Sequence, residues 1–271
     1  METGPDAPAP SSSASSRRRI AFTVLTLLFG AASLGALFGI GIVIGWFDNA
    51  EGGIHRLHDV AFGVLYGIVV ATAFFAMVRR PGTKPSVFLQ VVAVALAVAL
   101  AALISGDPGY LAIAGGLLVA SAILLALHPD RAGILHPSLQ LSPVMGVFTL
   151  VAAVPLVAAG LSWASLQRNG LSLDPHVHMQ HWVTMASMAF GLVAVGLLAS
   201  LRIRGWRLTA WCAGLAAAAY GLASIVFHRF PGSSVPYAGS EGIGWGLVAL
   251  IGGLAFIAIA EWEIRRARTA M

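Results

Sequence analysis

Apolar runs of about twenty residues recur from Ile20 almost to the C-terminus, and each is long enough to cross a bilayer as a helix. Of the 271 residues, 58% are hydrophobic and 10% are charged, whereas about a quarter are charged in a soluble domain. A soluble fold would lack the polar residues needed to cover so much apolar surface. The sequence therefore predicts an all-α, polytopic membrane helix bundle whose partner is the lipid bilayer.

Eight transmembrane helices are predicted from the apolar runs and the turns between them. The first run extends from Ile20 to about Trp46 and exceeds the apolar core of about 7 to 15 residues in a signal peptide. Gly106 to Gly109, with the sequence GDPG, divides a run that is too long for one crossing. The other predicted spans are His58 to Val78, Ser86 to Ser105, Tyr110 to Leu127, Ser142 to Leu166, Met179 to Ser200, Leu208 to Phe227 and Gly242 to Glu261.

The two ends of the chain predict polar tails that flank the bundle. Residues 1–19 are rich in Pro, Ser and Ala and carry no hydrophobic period before the arginines at their end, which predicts a disordered cytoplasmic tail. Residues 20–263 form the predicted transmembrane bundle. Residues 264–271 contain three arginines and predict a short basic cytoplasmic tail.

The distribution of Lys and Arg predicts that both termini are cytoplasmic, because cytoplasmic loops retain positive charge. With the N-terminus inside, three basic residues fall outside, Arg56, Arg168 and Arg229, and the other thirteen of the sixteen fall inside. These residues form short clusters between apolar runs and not a stripe along one face, which argues against a nucleic-acid partner. A composition rich in Ala, Gly and Arg favours a bacterial protein, and hence the bacterial plasma membrane. The sequence does not specify protein partners.

A pattern shared by the second and sixth predicted spans indicates an internal repeat. One span begins with His55, x, x, His58 and the other with His178, x, x, His181, and each second histidine is followed 21 residues later by an arginine, Arg79 or Arg202. A glycine also follows at matching spacing, Gly82 and Gly205. This predicts two parallel four-helix halves, 20–131 and 142–266, related by an axis along the membrane normal. Chance agreement is the alternative, because histidines and arginines are common at span ends.

Six of the eight histidines fall at the predicted external face, several of them in the stretch from Asp174 to Trp182 (DPHVHMQHW). Imidazole ligates zinc, copper, iron and nickel, and a nearby carboxylate can fix the imidazole tautomer. A polar interfacial role without any metal is the alternative. The candidate metal ligands are His55, His176, His178, His181, His228 and Asp174, and the candidate cofactor ligands are His58 and His181.

The segment His55, Arg56, Leu57, His58 leads into a glycine-containing span, and the predicted plan has four plus four helices. In these features the chain is similar to the heme A synthase family, whose two four-helix halves each open a helix with a histidine and an arginine. That resemblance implies a heme held between histidines near the outer face, here His58 and His181. Heme and a divalent transition metal are therefore the two candidate cofactors.

Longer stretches of the chain resemble uncharacterised actinobacterial multi-pass membrane proteins. The resemblance rests on Leu127 to Arg131 (LHPDR), Asp174 to Ala186 (DPHVHMQHWVTMA) and Ala260 to Arg265 (AEWEIR). It implies a small bacterial membrane-protein family and carries no particular activity.

Three functions remain open on the sequence alone. The first is a metal or cofactor protein, such as an oxidoreductase, with His58, His181 and His228 as ligands. The second is a proton-coupled small-molecule carrier that uses histidines titrating near neutral pH; it ranks lower because the middles of the spans are nearly bare of charge. The third is a structural or accessory membrane protein without catalysis.

Overall fold

The structure, a computed structural model, describes residues 12–48, 54–170, 175–228 and 242–269, and these residues contain helices and turns but no strand. The α-helices, in chain order, are α1 Ser12–Leu34, α2 Gly41–Ile44, α3 Arg56–Phe62, α4 Thr72–Val78, α5 Pro85–Ser105, α6 Pro108–Leu127, α7 Arg131–Leu135, α8 Pro143–Asn169, α9 Pro175–His178, α10 His181–Ser200, α11 Trp206–Val226 and α12 Gly242–Thr269. A π-helix, Gly63–Ala71, joins α3 to α4.

Seven helices within the described residues are long and apolar enough to span a membrane. They are the continuous helix Arg56–Val78 and helices α5, α6, α8, α10, α11 and α12. Their bounds agree within a few residues with the predicted second to seventh spans, and α12 extends the predicted eighth span by eight residues to Thr269. The turn predicted at GDPG separates α5 from α6, where Gly106 adopts a left-handed conformation with φ of +73°.

The first predicted span, Ile20 to Trp46, is not one continuous helix. Helix α1 begins at Ser12, inside the region predicted as a tail, and ends at Leu34. Residues 35–40 then form turns before the short helix α2. Phe38 has a φ of +55°, which is incompatible with a helix and therefore breaks this segment in two.

The broken first segment nevertheless runs from one end of the bundle to the other. At its start, the Arg18 guanidinium donates to the carbonyl oxygens of Ala126, Leu127 and His128, at the C-terminus of α6. At its end, the Asp48 carbonyl oxygen accepts from Arg56 Nε at 2.5 Å, at the N-terminus of α3. Helices α3 and α6 begin at the same end of the bundle, so the two contacts mark opposite ends.

Glycines allow this segment to lie directly on the backbone of the next span. A Cβ added to Gly63 would lie 1.9 Å from the Ile42 backbone nitrogen, and one on Gly41 would lie 2.3 Å from the Asp59 carbonyl oxygen. Such distances leave no room for a side chain. Close glycine packing of this kind is typical of helix contacts in membranes.

Helix α10 lies at the centre of the bundle, in contact with α5, α8 and α11. Residues 181–192 are all buried, whereas α8 exposes large apolar side chains such as Val151 and Val154 on its outer side. A central buried helix surrounded by helices with apolar outer faces is the arrangement expected when lipid is the solvent.

The ends of the bundle differ in their polar residues. At the arginine end, named for Arg202, Arg204 and Arg207, each of these residues pairs with a carboxylate: Arg202 with Glu263 at 3.2 Å, Arg204 with Asp130 at 2.5 Å and Arg207 with Glu261 at 2.7 Å. The opposite end, where α3, α6, α9, α10 and α12 begin, is the histidine end.

Candidate metal centre

Four buried histidines converge at the histidine end, although they come from separate elements. His55 immediately precedes α3, His58 lies in its first turn, His176 lies in α9 and His181 is the first residue of α10. The exposed fraction is 0% for His58 and 4% for each of the other three. The sequence separation of more than 100 residues between the two pairs is closed by the packing of α3 against α10.

Three of these histidines bring ligand-type nitrogen atoms close together. One ring nitrogen from each of His55, His176 and His181 lies within 4.8 Å of the other two. The closest pair is His55 Nδ1 and His181 Nδ1, which are 3.3 Å apart. Two nitrogens bound tetrahedrally to one zinc ion, at about 2.0 to 2.1 Å each, lie about 3.3 to 3.4 Å apart. This distance also permits a hydrogen bond from one neutral ring to the other.

His58 packs against the other rings of the cluster. Its ring centroid is 4.8 Å from that of His181, with the planes 12° apart, and 4.6 Å from that of His176. Neither ring nitrogen of His58 makes a hydrogen bond of good geometry with the described residues, although the Ile54 backbone lies within interaction range of the ring. Leaving a buried polar group unsatisfied costs about 1 to 3 kcal/mol, so such a group calls for an explanation.

Aromatic side chains close the cluster from the interior of the bundle. The Trp182 ring contacts His58 and His176, with centroid distances of 5.1 and 5.2 Å. Phe62 packs edge-on against His181 at 5.8 Å. An apolar wall of this kind restricts water and lowers the local dielectric constant, which strengthens interactions between the imidazoles and any ion they hold.

The backbone between α9 and α10 decides which histidines join the cluster. Gln180 adopts a left-handed conformation with φ of +58°, so α9 ends at His178 and a new helix begins at His181. The sequence favoured one helix from about His178, with His178 and His181 on a shared face. The turn at Gln180 instead directs His181 inward and leaves His178 exposed.

Two further predicted ligands, His178 and His228, are not part of the close nitrogen group among the described residues. His228 is half-buried, and its Nδ1 lies 2.7 Å from the Ile225 carbonyl oxygen. It is not part of the close nitrogen group found among the described residues. Asp174 lies outside the described residues. The structure thus brings together His55, His58, His176 and His181, and leaves His178 and His228 outside the group.

A polar group beside the cluster was not assigned a role by the sequence. Asp107 Oδ1 accepts from Gln180 Nε2 at 2.9 Å and from the Tyr110 backbone N–H at 3.0 Å. Gln167 Nε2 lies 3.4 Å from Asp107 Oδ2 and donates to the Val177 carbonyl oxygen at 3.0 Å. The sequence placed Asp107 in the turn between two predicted spans, but no sequence signal linked this aspartate to a loop some 70 residues away.

Comparisons with models of known protein families, with curated proteins and with solved structures found no match for this chain. The functional interpretation therefore rests on the geometry of the histidine end.

Proposed function

We propose that this chain is a multi-pass membrane protein that binds one divalent transition-metal ion in the histidine cluster. His55, His176 and His181 are the proposed ligands, and the ring of His58 packs against those of His176 and His181. The observation that carries the proposal is the approach of three buried imidazole nitrogens, from three separate elements, to within 4.8 Å of one another. Buried polar groups are expensive unless they bind something, and a metal ion would satisfy several at once.

The ligand chemistry favours zinc or copper. All three proposed ligands are imidazoles, which suit both metals, and no thiolate or carboxylate is part of the close group among the described residues. The His55 to His181 nitrogen distance of 3.3 Å fits one edge of a tetrahedral site. The metal would supply a Lewis acid at one end of the bundle, and the three side chains would fix its position.

Heme fits this arrangement less well than a single ion. Two axial ligands of a heme must direct ring nitrogens at one iron from opposite sides. The rings of His58 and His181 instead stack face to face, with planes 12° apart, and nitrogen lone pairs lie in the ring plane. The two imidazoles therefore do not point toward a shared iron between them.

The positions of the buried carboxylates support a carrier less well than a metal-binding protein. Among the described residues, the buried carboxylates Asp59, Asp107 and Glu263 lie close to the ends of spans or outside them. Carriers of charged solutes place ionisable groups or broken helices near the bilayer midplane. The broken segment after Leu34 is packed tightly by glycines, as described above, and leaves no room there for a solute.

We further propose eight crossings, both termini in the cytoplasm and a bacterial plasma membrane location. The contacts of Arg18 and Asp48 with opposite ends of the bundle support a first crossing made by the broken segment. The positive charge concentrated at the arginine end supports placing that end inside. The histidine cluster would then face outward.

A parallel four-plus-four repeat is also proposed. His58 and His181 are 123 positions apart, and so are Ser86 and Thr209, whose hydroxyl oxygens lie 2.9 Å apart. A twofold axis between two halves brings equivalent residues together where it passes through the bundle. Two contacts that share one sequence offset support such an axis.

Zinc titration of the detergent-purified, chelator-treated protein tests the metal proposal, together with an absorption spectrum before chelation. Wild-type protein should bind one Zn²⁺, and His181→Ala should lower the affinity by at least about tenfold. His178→Ala is the matched control, because His178 is a histidine of the same loop that is exposed, and it should bind zinc as the wild type does. Absence of stoichiometric binding of Zn²⁺ or Cu²⁺ by the wild type would overturn the proposal, and a Soret band would favour heme.

A further inference from the structure

Helix α9 and the start of α10 carry two of the four clustered histidines, and the loop between them is held from outside by polar side chains. Asp107 lies in the turn between α5 and α6 and is 8% exposed. Its carboxylate accepts from Gln180 Nε2 through both oxygens, at 2.9 and 3.2 Å. A side chain 73 positions earlier in the chain therefore fixes the residue immediately before His181.

Gln180 is the residue whose backbone turns the chain between the two histidines. A φ of +58° is unfavourable for a residue with a side chain, and it persists only when the surroundings stabilise it. Its side chain is held by Asp107, and its carbonyl oxygen accepts from the Thr184 hydroxyl at 2.9 Å. The strained turn is thus held at both its side chain and its backbone.

Gln167, from the last turns of α8, holds the same loop at two further points. Its Nε2 donates to the Val177 carbonyl oxygen at 3.0 Å, between His176 and His178, and its Oε1 accepts from the Val183 backbone N–H at 3.4 Å. The same Nε2 lies 3.4 Å from Asp107 Oδ2. One carboxylate thus connects the two glutamines that contact the loop before and after the turn.

We infer that Asp107 is a positioning residue of the histidine cluster, acting through Gln180 and Gln167 to set the turn that directs His176 and His181 toward His55. This inference rests on the proposed function where it concerns metal affinity, and on the geometry alone where it concerns the position of the two histidines. Neighbours that orient metal ligands typically change affinity by about 10- to 100-fold when they are replaced.

The variant Asp107→Asn distinguishes the positioning role of Asp107 from its role as a helix cap. Asparagine caps a helix N-terminus about as well as aspartate, so the bond from Tyr110 N–H can persist. With the capping oxygen Oδ1 retained, the other oxygen becomes an NH₂ group, which faces the donor amides of Gln180 and Gln167 and cannot accept their bonds at 3.2 and 3.4 Å. Asp130→Asn is the matched control, because Asp130 caps α7 through Gly133 N–H at the arginine end of the bundle.

Two readouts test the inference on the full-length protein in detergent. The first is modification of individual histidines by diethyl pyrocarbonate in metal-free protein, quantified by mass spectrometry. Asp107→Asn should increase the modification of His176 and His181 severalfold, with Asp130→Asn unchanged from the wild type. The second is the Zn²⁺ affinity, together with the absorption spectrum of bound Co²⁺, which reports on coordination at the site. Asp107→Asn should weaken zinc binding by about 10- to 100-fold.

Unchanged modification of both histidines in Asp107→Asn would overturn the inference, whatever the metal result. If the wild type binds no metal but the variant exposes His176 and His181, the positioning role stands and the metal proposal fails. If modification rises equally in Asp107→Asn and Asp130→Asn, the effect is a general loss of stability and the inference also fails.

Discussion

The imidazole ring of His58 stacks on that of His181 with centroids 4.8 Å apart and planes 12° apart, and the two residues stand 123 positions apart in the chain. At the arginine end of the bundle, between α5 and α11, Ser86 Oγ lies 2.9 Å from Thr209 Oγ1, again across 123 positions. The same offset at both ends places equivalent positions of the two proposed halves against each other. Packing across this axis can be tested without any assumption about function.

The double variant Ser86→Cys/Thr209→Cys, in a Cys212→Ala background, should form an intramolecular disulfide in isolated membranes treated with a mild oxidant. Both residues are fully buried and their oxygen atoms are in contact, so the substituted cysteines lie within disulfide range. The replacement of Cys212 removes the buried free cysteine of the chain. Thiol labelling after oxidation measures the yield.

Ser86→Cys/Ser224→Cys serves as the control for this cross-link. Ser224 lies 15 residues beyond Thr209 on α11, about 22 Å along the helix axis. Equal cross-linking of the two double variants, or none in either, would contradict the proposed contact across the axis.

His58→Leu should change stability and metal binding in opposite directions. In metal-free protein both His58 nitrogens are buried without a hydrogen bond of good geometry among the described residues, so an apolar side chain of similar size removes a desolvation cost. We expect the free energy of unfolding to rise by about 1 kcal/mol. With zinc present, the loss of the ring that packs against the ligands His176 and His181 should weaken binding by at least about tenfold. Thermal unfolding with and without zinc measures both effects, and a loss of stability in metal-free buffer would contradict this account of His58.

Gly63→Ala should destabilise the bundle, because its Cβ would lie 1.9 Å from the Ile42 nitrogen and 2.4 Å from the Ile42 Cα. These are backbone atoms, which cannot move aside as a flexible side chain can. We expect a cost of about 1 to 3 kcal/mol, measured as a lower thermal unfolding temperature. Gly116→Ala is the control, since nothing lies within 4 Å of its added Cβ, and alanine there should be neutral or slightly stabilising. Equal effects of the two changes would show that Gly63 is not a point of close backbone contact.

Fusions to the two termini distinguish eight crossings from seven. Under the proposed topology, a fluorescent protein that folds only in the cytoplasm should be bright at either end, and alkaline phosphatase should be inactive at either end. Seven crossings would place the termini on opposite sides. An active phosphatase at one terminus would therefore show that the segment from Arg18 to Asp48 does not cross the membrane.

The sequence predicted the long helices well because lipid imposes a simple rule on composition and length. Bounds such as Val78 and Ser105 follow from the positions where apolar runs stop. The first span was predicted poorly because its break depends on glycines that pack against α3 and the π-helix, and sequence hydropathy does not report such contacts. Periodicity likewise gave no indication of the π-helix, in which the Val69 carbonyl oxygen accepts a hydrogen bond from Gln90 Nε2 at 2.8 Å.

The sequence predicted that histidines form the candidate site, but it did not predict which histidines come together. His55, His58, His176 and His181 were all among the candidates, since polar residues at the ends of apolar spans stand out. His178 lies outside the cluster because the chain turns at Gln180, whose backbone is left-handed. Residue propensities do not predict a left-handed conformation for a glutamine. The contact between Asp107 and Gln180 depends on the tertiary packing of α5, which ends just before Asp107, against α10. Hydropathy and periodicity do not predict such packing.

His128 lies at the arginine end, just beyond α6. Its titration should make the stability of the protein depend on pH, independently of the metal site. Burial lowers the pKa of this imidazole, which packs against Phe22 at 5.3 Å and accepts from the Asp130 backbone N–H at 3.1 Å. Because the folded state binds a proton less readily than the unfolded state, stability is retained above the unfolded pKa of about 6.5 and is lost as pH falls through the folded pKa. In chelator-treated protein, wild type should therefore lose more thermal stability than His128→Gln between pH 7.5 and 5. The histidine cluster contributes equally to both proteins, so parallel losses would contradict a lowered pKa at His128.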